Sequence, residues 1–339
     1  MQIRNALFGG FMCAALSSAA HADLRAGSLV MFPEFDNTPG SVHLLTLTNT
    51  SATESVVVEM IYIDGDDCGE FNRHIELTPY DTITVLTSAH NPAMTKGYAY
   101  AFAKDAVGGD PISFNYLTGS SFQINGGWLG GQLGDVAPAR SLPPFVFQAT
   151  GDEGEVTESN GDGLRNLDGT EYEPLPDRVV IPRFMGQGSS FGAGGTGGQY
   201  GGFTSRLYAI GLTGGTRFET TIDFLVFNDN EEVFSAEYSF GCWSATDLEQ
   251  ISGTFSRLFL ATATNHDPNE ILGFPRAESG WMIIDGAVAN SATTTYQDPA
   301  VLFLLAETPA GGDTVAHLPY FEGEQDNGSL LARSLDGTF

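Results

Sequence analysis

The side chains with the most obvious chemistry are the cysteines, at positions 13, 68 and 242. Cys13 falls inside Met1 to Ala22, which reads as a secretory leader: Arg4 supplies the basic start, Ala6 to Leu16 the short apolar stretch, and Ala20-His21-Ala22 the small-residue cleavage site. Removing the leader leaves Cys68 and Cys242, an even pair in an exported chain, where a disulfide persists. Cys68 sits in the turn Asp64-Gly65-Asp66-Asp67-Cys68-Gly69, and Cys242 follows a strand ending at Phe240. They occupy different places in the internal repeat described below, so they either bridge the two halves or stay unpaired. A cysteine nucleophile is disfavoured, because the acids around Cys68 raise a thiol pKa.

The second candidate is an oxygen-rich loop. Gly151 to Asp177 carries nine acids against one base, Arg165. Its centre, Asn160-Gly161-Asp162-Gly163 with Asn166 and Asp168, resembles the calcium loops of thrombospondin type 3 and dockerin-like repeats. Calcium takes six to eight oxygens, and glycines let a short loop fold around it. The stretch lacks the EF-hand spacing that ends in a bidentate glutamate. It therefore reads either as a calcium loop built on Asn160, Asp162, Asn166 and Asp168 or as a solvated acidic linker.

Other chemistry finds little footing. His43, His74, His90, His266 and His317 show no metal-binding spacing, and His90 and His266 each precede an Asn/Asp-Pro turn. No Gly-x-Ser-x-Gly elbow occurs; Gly186 to Gly192 misses both its spacing and its strand-to-helix setting. A hydrolase is the lesser alternative. For ligand or partner contact the candidates are aromatic: Trp128 in a glycine-rich stretch where a ring is hard to bury, and Phe191 and Tyr200 in Gly186 to Gly202. That segment has nine glycines in 17 residues and reads as a long surface loop.

The elements that must carry these groups are strands. The 339 residues include 42 glycines and 16 prolines, are 42% hydrophobic and only 17% charged, and are punctuated by turn residues. A net charge of −28 disfavours nucleic acid and anionic membrane surfaces, both of which need concentrated basic side chains. After the leader no apolar run of about 20 residues occurs to form a transmembrane helix.

The chain also repeats itself. Phe32-Pro33-Glu34-Phe35 is echoed by Ile181-Pro182-Arg183-Phe184, Ser55–Asp64 by Thr220–Asp229, and His90-Asn91-Pro92 by His266-Asp267-Pro268. Gly97-Tyr98 is echoed by Gly280-Trp281, and Asp110-Pro111 by Asp298-Pro299. Matches kept in order predict a tandem duplication. Short β-branched and aromatic runs recur in each half, including Arg257 to Ala261 as a strand. They predict two tandem immunoglobulin-like or related β-sandwiches, at residues 23–147 and 178–318. Residues 148–177 are expected as an acidic linker and 319–339 as a flexible tail. A single outer-membrane barrel is the architectural rival, and it wants longer alternating strands.

Cys68-Gly69-Glu70-Phe71-Asn72-Arg73, followed by Leu77-Thr78-Pro79-Tyr80-Asp81-Thr82-Ile83-Thr84-Val85-Leu86, resembles a stretch of uncharacterised exported bacterial β-sandwich proteins. The resemblance covers about one-tenth of the chain. It implies an extracytoplasmic β protein and carries no reaction, cofactor or site residue. The expected role is that of a non-catalytic, periplasmic, cell-surface or extracellular protein with a structural, adhesive or assembly function, self-associating or contacting a surface polymer. The alternative is a glycan- or polymer-binding module. No cofactor is expected apart from calcium in the acidic loop.

Overall fold

The computed structural model describes residues 25–107, 109–125, 139–157, 161–192, 199–200, 202–214, 218–228, 232–262, 277–309, 314–317 and 319–330. The expected leader, Trp128, Asn160 and His266 lie outside the described residues. The first half contains β1 (Leu29–Asp36), β2 (Ser41–Asn49), β3 (Val56–Asp64), β4 (Glu70–Leu77), β5 (Thr82–Leu86), β6 (Lys96–Lys104), β7 (Leu117–Asn125), β8 (Ala139–Arg140) and β9 (Phe145–Phe147). A single helical turn, α1 (Thr87–His90), follows β5. After β10 (Arg165–Asn166) come β11 (Arg178–Met185), β12 (Phe191–Gly192), β13 (Gln199–Tyr200), β14 (Phe203–Gly211), β15 (Glu219–Asn228), β16 (Val233–Phe240) and β17 (Trp243–Asp247). The short helices α2 (Leu248–Ile251) and α3 (Arg257–Thr262) lead to β18 (Ser279–Asn290), β19 (Thr295–Gln297), β20 (Val301–Pro309), β21 (Val315–His317), β22 (Tyr320–Glu322) and β23 (Ser329–Leu330).

The chain is mostly β, in several antiparallel sheets. Sheet A has the order β5-β2-β7-β8 and sheet B the order β4-β3-β6-β1-β9; sheet C has β17-β14-β20-β21 and sheet D has β16-β15-β18-β11-β22, with β19 on β18. The orders correspond strand for strand between A and C and between B and D. Two further two-stranded sheets, β10-β23 and β12-β13, complete the set, and among the described residues the strands are divided among these separate sheets.

Alternating side chains decide how the sheets stack. Leu45, Leu47 and Val85 of sheet A meet Val30, Phe32, Val58, Met60 and Tyr62 of sheet B in one core. Leu207, Ala209, Phe303 and Leu305 of sheet C meet Ile181, Phe224, Val226 and Met282 of sheet D in a second. That second core continues without a break into Met31, Ile61, Ile63, Tyr98, Tyr100 and Phe102, on the other face of sheet B, and Tyr208, Ile210, Leu302 and Leu304, on the other face of sheet C. The stack therefore runs A, B, C, D. Its inner position explains sheet B: β1 is buried along its whole length and β6 everywhere but its ends, the signature of strands covered on both faces. β15 alternates between buried and accessible residues, as a strand covered on one face must.

β1 and β11 each break their ladder at a proline. The register steps from Phe32↔Ala99 to Phe35↔Gly97, and from Ile181↔Met282 to Phe184↔Gly280. Proline has no N–H to give the ladder, so a bulge forms there. The partners must be glycine: a Cβ on Gly97 would lie 1.8 Å from the Ile63 carbonyl oxygen, and one on Gly280 2.6 Å from that of Phe227.

Three segments differ from the sequence-based expectation. Arg257–Thr262 is helical, not a strand; the Ser256 hydroxyl caps its start by accepting from the Phe259 N–H at 3.2 Å. The acidic segment is packed along part of its length, with Leu167, Tyr172 and Leu175 fully buried in the shared core. In the segment expected as a free tail, β22 pairs with β11 and β23 with β10, and Phe321 and Leu330 are buried. Apolar side chains at those few positions outweigh the polar residues around them. Among the described residues no helix is long and apolar enough to cross a membrane.

Candidate functional site

The β1 bulge turns two groups of the first half toward the second. It frees the Pro33 carbonyl, which accepts from the Trp243 indole N–H at 2.8 Å. It also carries Glu34 into the layer between sheets B and C, where Glu34 is 2% exposed. Arg140, on the short edge strand β8, meets it there in an ion pair. The same guanidinium donates to the Gln123 amide oxygen at 2.9 Å and to the Tyr208 hydroxyl at 2.5 Å. Gln123 in turn donates to Asp36 at 3.0 Å and to the Ser41 hydroxyl at 2.9 Å. The Asp36 N–H donates to His43 Nδ1 at 3.0 Å, which places the ring proton on Nε2.

Burial sets the electrostatics. It pushes the Glu34 carboxyl up against the opposing pull of Arg140. Burial, with Arg140 nearby, lowers His43 to about 4, so its ring is neutral at physiological pH. Burial also raises Asp36, but the Thr38 hydroxyl and N–H, together with Lys96, outweigh it and hold that group below its usual value. Tyr208 is raised, first by burial and then by Glu34, and stays protonated.

On the sheet C side this network lines a cleft of about 250 Å³ bounded by Arg140, Thr204, Arg206, Tyr208, Thr308 and Thr314. Alternation along β14 brings Thr204, Arg206 and Tyr208 to one face. Arg206 is held by Asp247 at 2.7 Å, and the Thr308 and Thr314 hydroxyls are 2.7 Å apart. Two guanidiniums, a phenol and threonine hydroxyls make a donor-rich cleft, just below the ~300–1,000 Å³ range usual for ligand sites. Among the described residues the cleft is lined by guanidiniums and hydroxyls, with no carboxylate, so it presents donors to a polar or anionic ligand. The arrangement is suited to binding.

The two halves are also joined covalently. Cys68 and Cys242 form a disulfide with Cα atoms 6.1 Å apart, spanning 174 residues. Trp243 lies against Gly65, where a Cβ would come within 2.4 Å of its ring.

Of the four candidate calcium ligands, Asp162, Asn166 and Asp168 are described, and their side chains are engaged in local turns. The Asp162 carboxylate accepts from the Leu164 N–H at 2.7 Å and from the Asn166 amide at 3.4 Å; Asp168 accepts from the Thr170 N–H at 2.8 Å. These oxygens cap their own turns. The described acids close enough to share a cation are Asp177, Asp285 and Asp298, whose oxygens lie within 4.8 Å of one another. Burial and then Asp298 raise the carboxyls of both Asp177 and Asp285. In the glycine-rich loop, Phe191 pairs with Tyr200 in the backbone ladder of β12 and β13, a two-stranded sheet of its own. Sequence reasoning missed the Arg140 cleft, since β8 is two residues long and its partners lie 17, 68 and 106 positions away.

No family model matches this chain, and no curated protein matches it. A solved structure, that of Thermotoga maritima 1070, is similar over 38% of this chain and 98% of its own, at 12% identity and a TM-score of 0.28, too low to bear on fold or function.

Proposed function

We propose that the chain is an exported bacterial, non-catalytic protein of the cell envelope or extracellular space, with a structural, adhesive or assembly role. In this reading it consists of two immunoglobulin-like or related β-sandwich units descended from one duplicated unit. The observation that carries the reading is the fusion of the two halves, through the covered face of sheet B and the Cys68–Cys242 disulfide, into one stacked body. Duplication is supported by the matching strand orders, by the proline bulge in both β1 and β11, and by the helical turn after both β5 and β17. A disulfide between distant halves suits an oxidising compartment.

The test is expression of the full-length gene in a bacterial host, followed by fractionation and intact mass under thiol alkylation. The reading expects a chain starting at Asp23, outside the cytoplasm, with no alkylatable thiol. An unprocessed, reduced cytoplasmic chain contradicts it. A second reading, a module binding a glycan or other polymer, draws on the donor-rich cleft. It expects acidic sugars to bind the wild type and to lose affinity in Arg206→Ala.

A further inference from the structure

Sheets B and D carry closely matched outer faces, and among the described residues only that of sheet B is covered. Register fixes the correspondence. Tyr98 follows the bulge-facing Gly97 as Trp281 follows Gly280. Ile63 pairs with Tyr98 as Phe227 pairs with Trp281, and Ile61 pairs with Tyr100 as Leu225 pairs with Ile283. On the other side Met31 lies between Tyr100 and Phe145 as Val180 lies between Ile283 and Tyr320. The six residues on sheet B are all buried, beneath sheet C. Their six counterparts on sheet D are all apolar or aromatic and all reach solvent, Leu225 at 46% and Tyr320 at 62% exposure. Phe227 and Trp281 stack with ring centroids 4.0 Å apart, giving the face a flat aromatic centre.

At the opposite end of the stack, no described element covers the outer face of sheet A. Sheet A has the same strand order as sheet C, the sheet that covers B. It presents an apolar row across three strands, Leu86–Leu44–Phe122, with Val42 beside it; Leu86, Phe122 and Val42 are each at least 40% exposed. Cross-strand threonine pairs, Thr46–Thr84 and Thr48–Thr82, flatten the rest of the face.

We infer that the outer face of sheet D is covered by sheet A of a second copy of this chain, as sheet B is covered by sheet C within one copy. The contact joins two different surfaces, so it is head-to-tail and does not close at two subunits; each added copy presents a fresh sheet D. The inference deepens the assembly reading above and rests on it for the exported, oxidised form of the chain.

The test uses the full mature chain, oxidised, in light scattering and sedimentation across a concentration series. Wild type is expected to grow in mass past the dimer as concentration rises. Leu225→Lys, which places a charge on the exposed face of sheet D, and Phe122→Glu, which places one on sheet A, each raise the half-assembly concentration by at least about tenfold. Mixing the two variants is decisive, because each retains one intact face: the mixture forms a dimer and stops there. Should either variant fail to fold, Tyr320→Lys and Val42→Glu replace them on the same faces. Wild type that stays monomeric to its solubility limit overturns the inference, as does a mixture that stays monomeric. Phe122→Glu that still dimerises overturns it in favour of a symmetric D-to-D contact. Loss of polysaccharide retention in Leu225→Lys, with mass unchanged, overturns it in favour of a polymer-binding face. A processed, oxidised monomer would refute assembly and leave the exported reading standing; a reduced cytoplasmic chain would refute the reading itself.

Discussion

Replacing Arg140 by alanine removes the only cation within salt-bridge reach of Glu34 among the described residues. The Glu34 side chain is 1% exposed and that of Arg140 10%, so water does not screen the pair. Breaking a buried pair from one side costs about 3–5 kcal/mol, because the surviving charge has no compensation. The truncation also removes the donor to the Gln123 and Tyr208 oxygens. The loss depends on pH with a definite sign. The Glu34 carboxyl is already raised above its ordinary 4.5 by burial, and Arg140 is the largest influence pulling it down. Without Arg140 the folded-state value rises further above the unfolded one. A carboxyl raised in this way is neutral in both states at low pH, so the penalty is small below about pH 4.5 and grows as pH rises toward the folded-state value. Urea unfolding at pH 7 and near pH 4.5 measures it. Arg140→Ala is expected to lose about 3–5 kcal/mol at pH 7 and distinctly less at the lower pH, and Glu34→Gln in the same chain to recover most of the loss. A loss below about 1 kcal/mol, one independent of pH, or one not recovered by Glu34→Gln would refute the reasoning.

Three further expectations follow from particular contacts. Cys68→Ser with Cys242→Ser opens a loop of 174 residues and is expected to cost about 5 kcal/mol in the chain-entropy treatment, read from urea midpoints against the oxidised parent. Asp285→Asn relieves repulsion from Asp177 and Asp298: because burial and these neighbours raise its pKa, the variant is expected to melt higher than wild type at pH 7, the gain disappearing below the carboxylate range. Gly97→Ala places a Cβ 1.8 Å from the Ile63 carbonyl oxygen and breaks the β3–β6 ladder opposite the bulge, with loss of soluble folded protein as the readout, whereas Gly241→Ala meets no atom within 4 Å.

The strands were legible because β-branched and aromatic runs separated by Gly, Pro and Asn are hard to place otherwise, as in Val56–Asp64 and Glu219–Asn228. The Phe-Pro-Glu-Phe and Ile-Pro-Arg-Phe echoes fell on the bulges, where a missing N–H leaves a mark in the sequence. The echo of Ser55–Asp64 in Thr220–Asp229 did not survive in register. Asp64 pairs with Gly97 as Asn228, not Asp229, pairs with Gly280, so the sequence match was one residue out of step, enough to exchange the faces of a strand. Composition misled where a few side chains outweigh many: nine acids obscured Leu167, Tyr172 and Leu175. The Arg140 cleft and the Asp177, Asp285 and Asp298 cluster could not be read, because each draws on residues from separate strands and loops that only the stacking brings together.

Calorimetry of the oxidised mature chain tests the fusion of the two halves most directly. Shared burial between sheets B and C requires one endotherm, with equal calorimetric and van't Hoff enthalpies. Two resolved endotherms, one for each half, would contradict it.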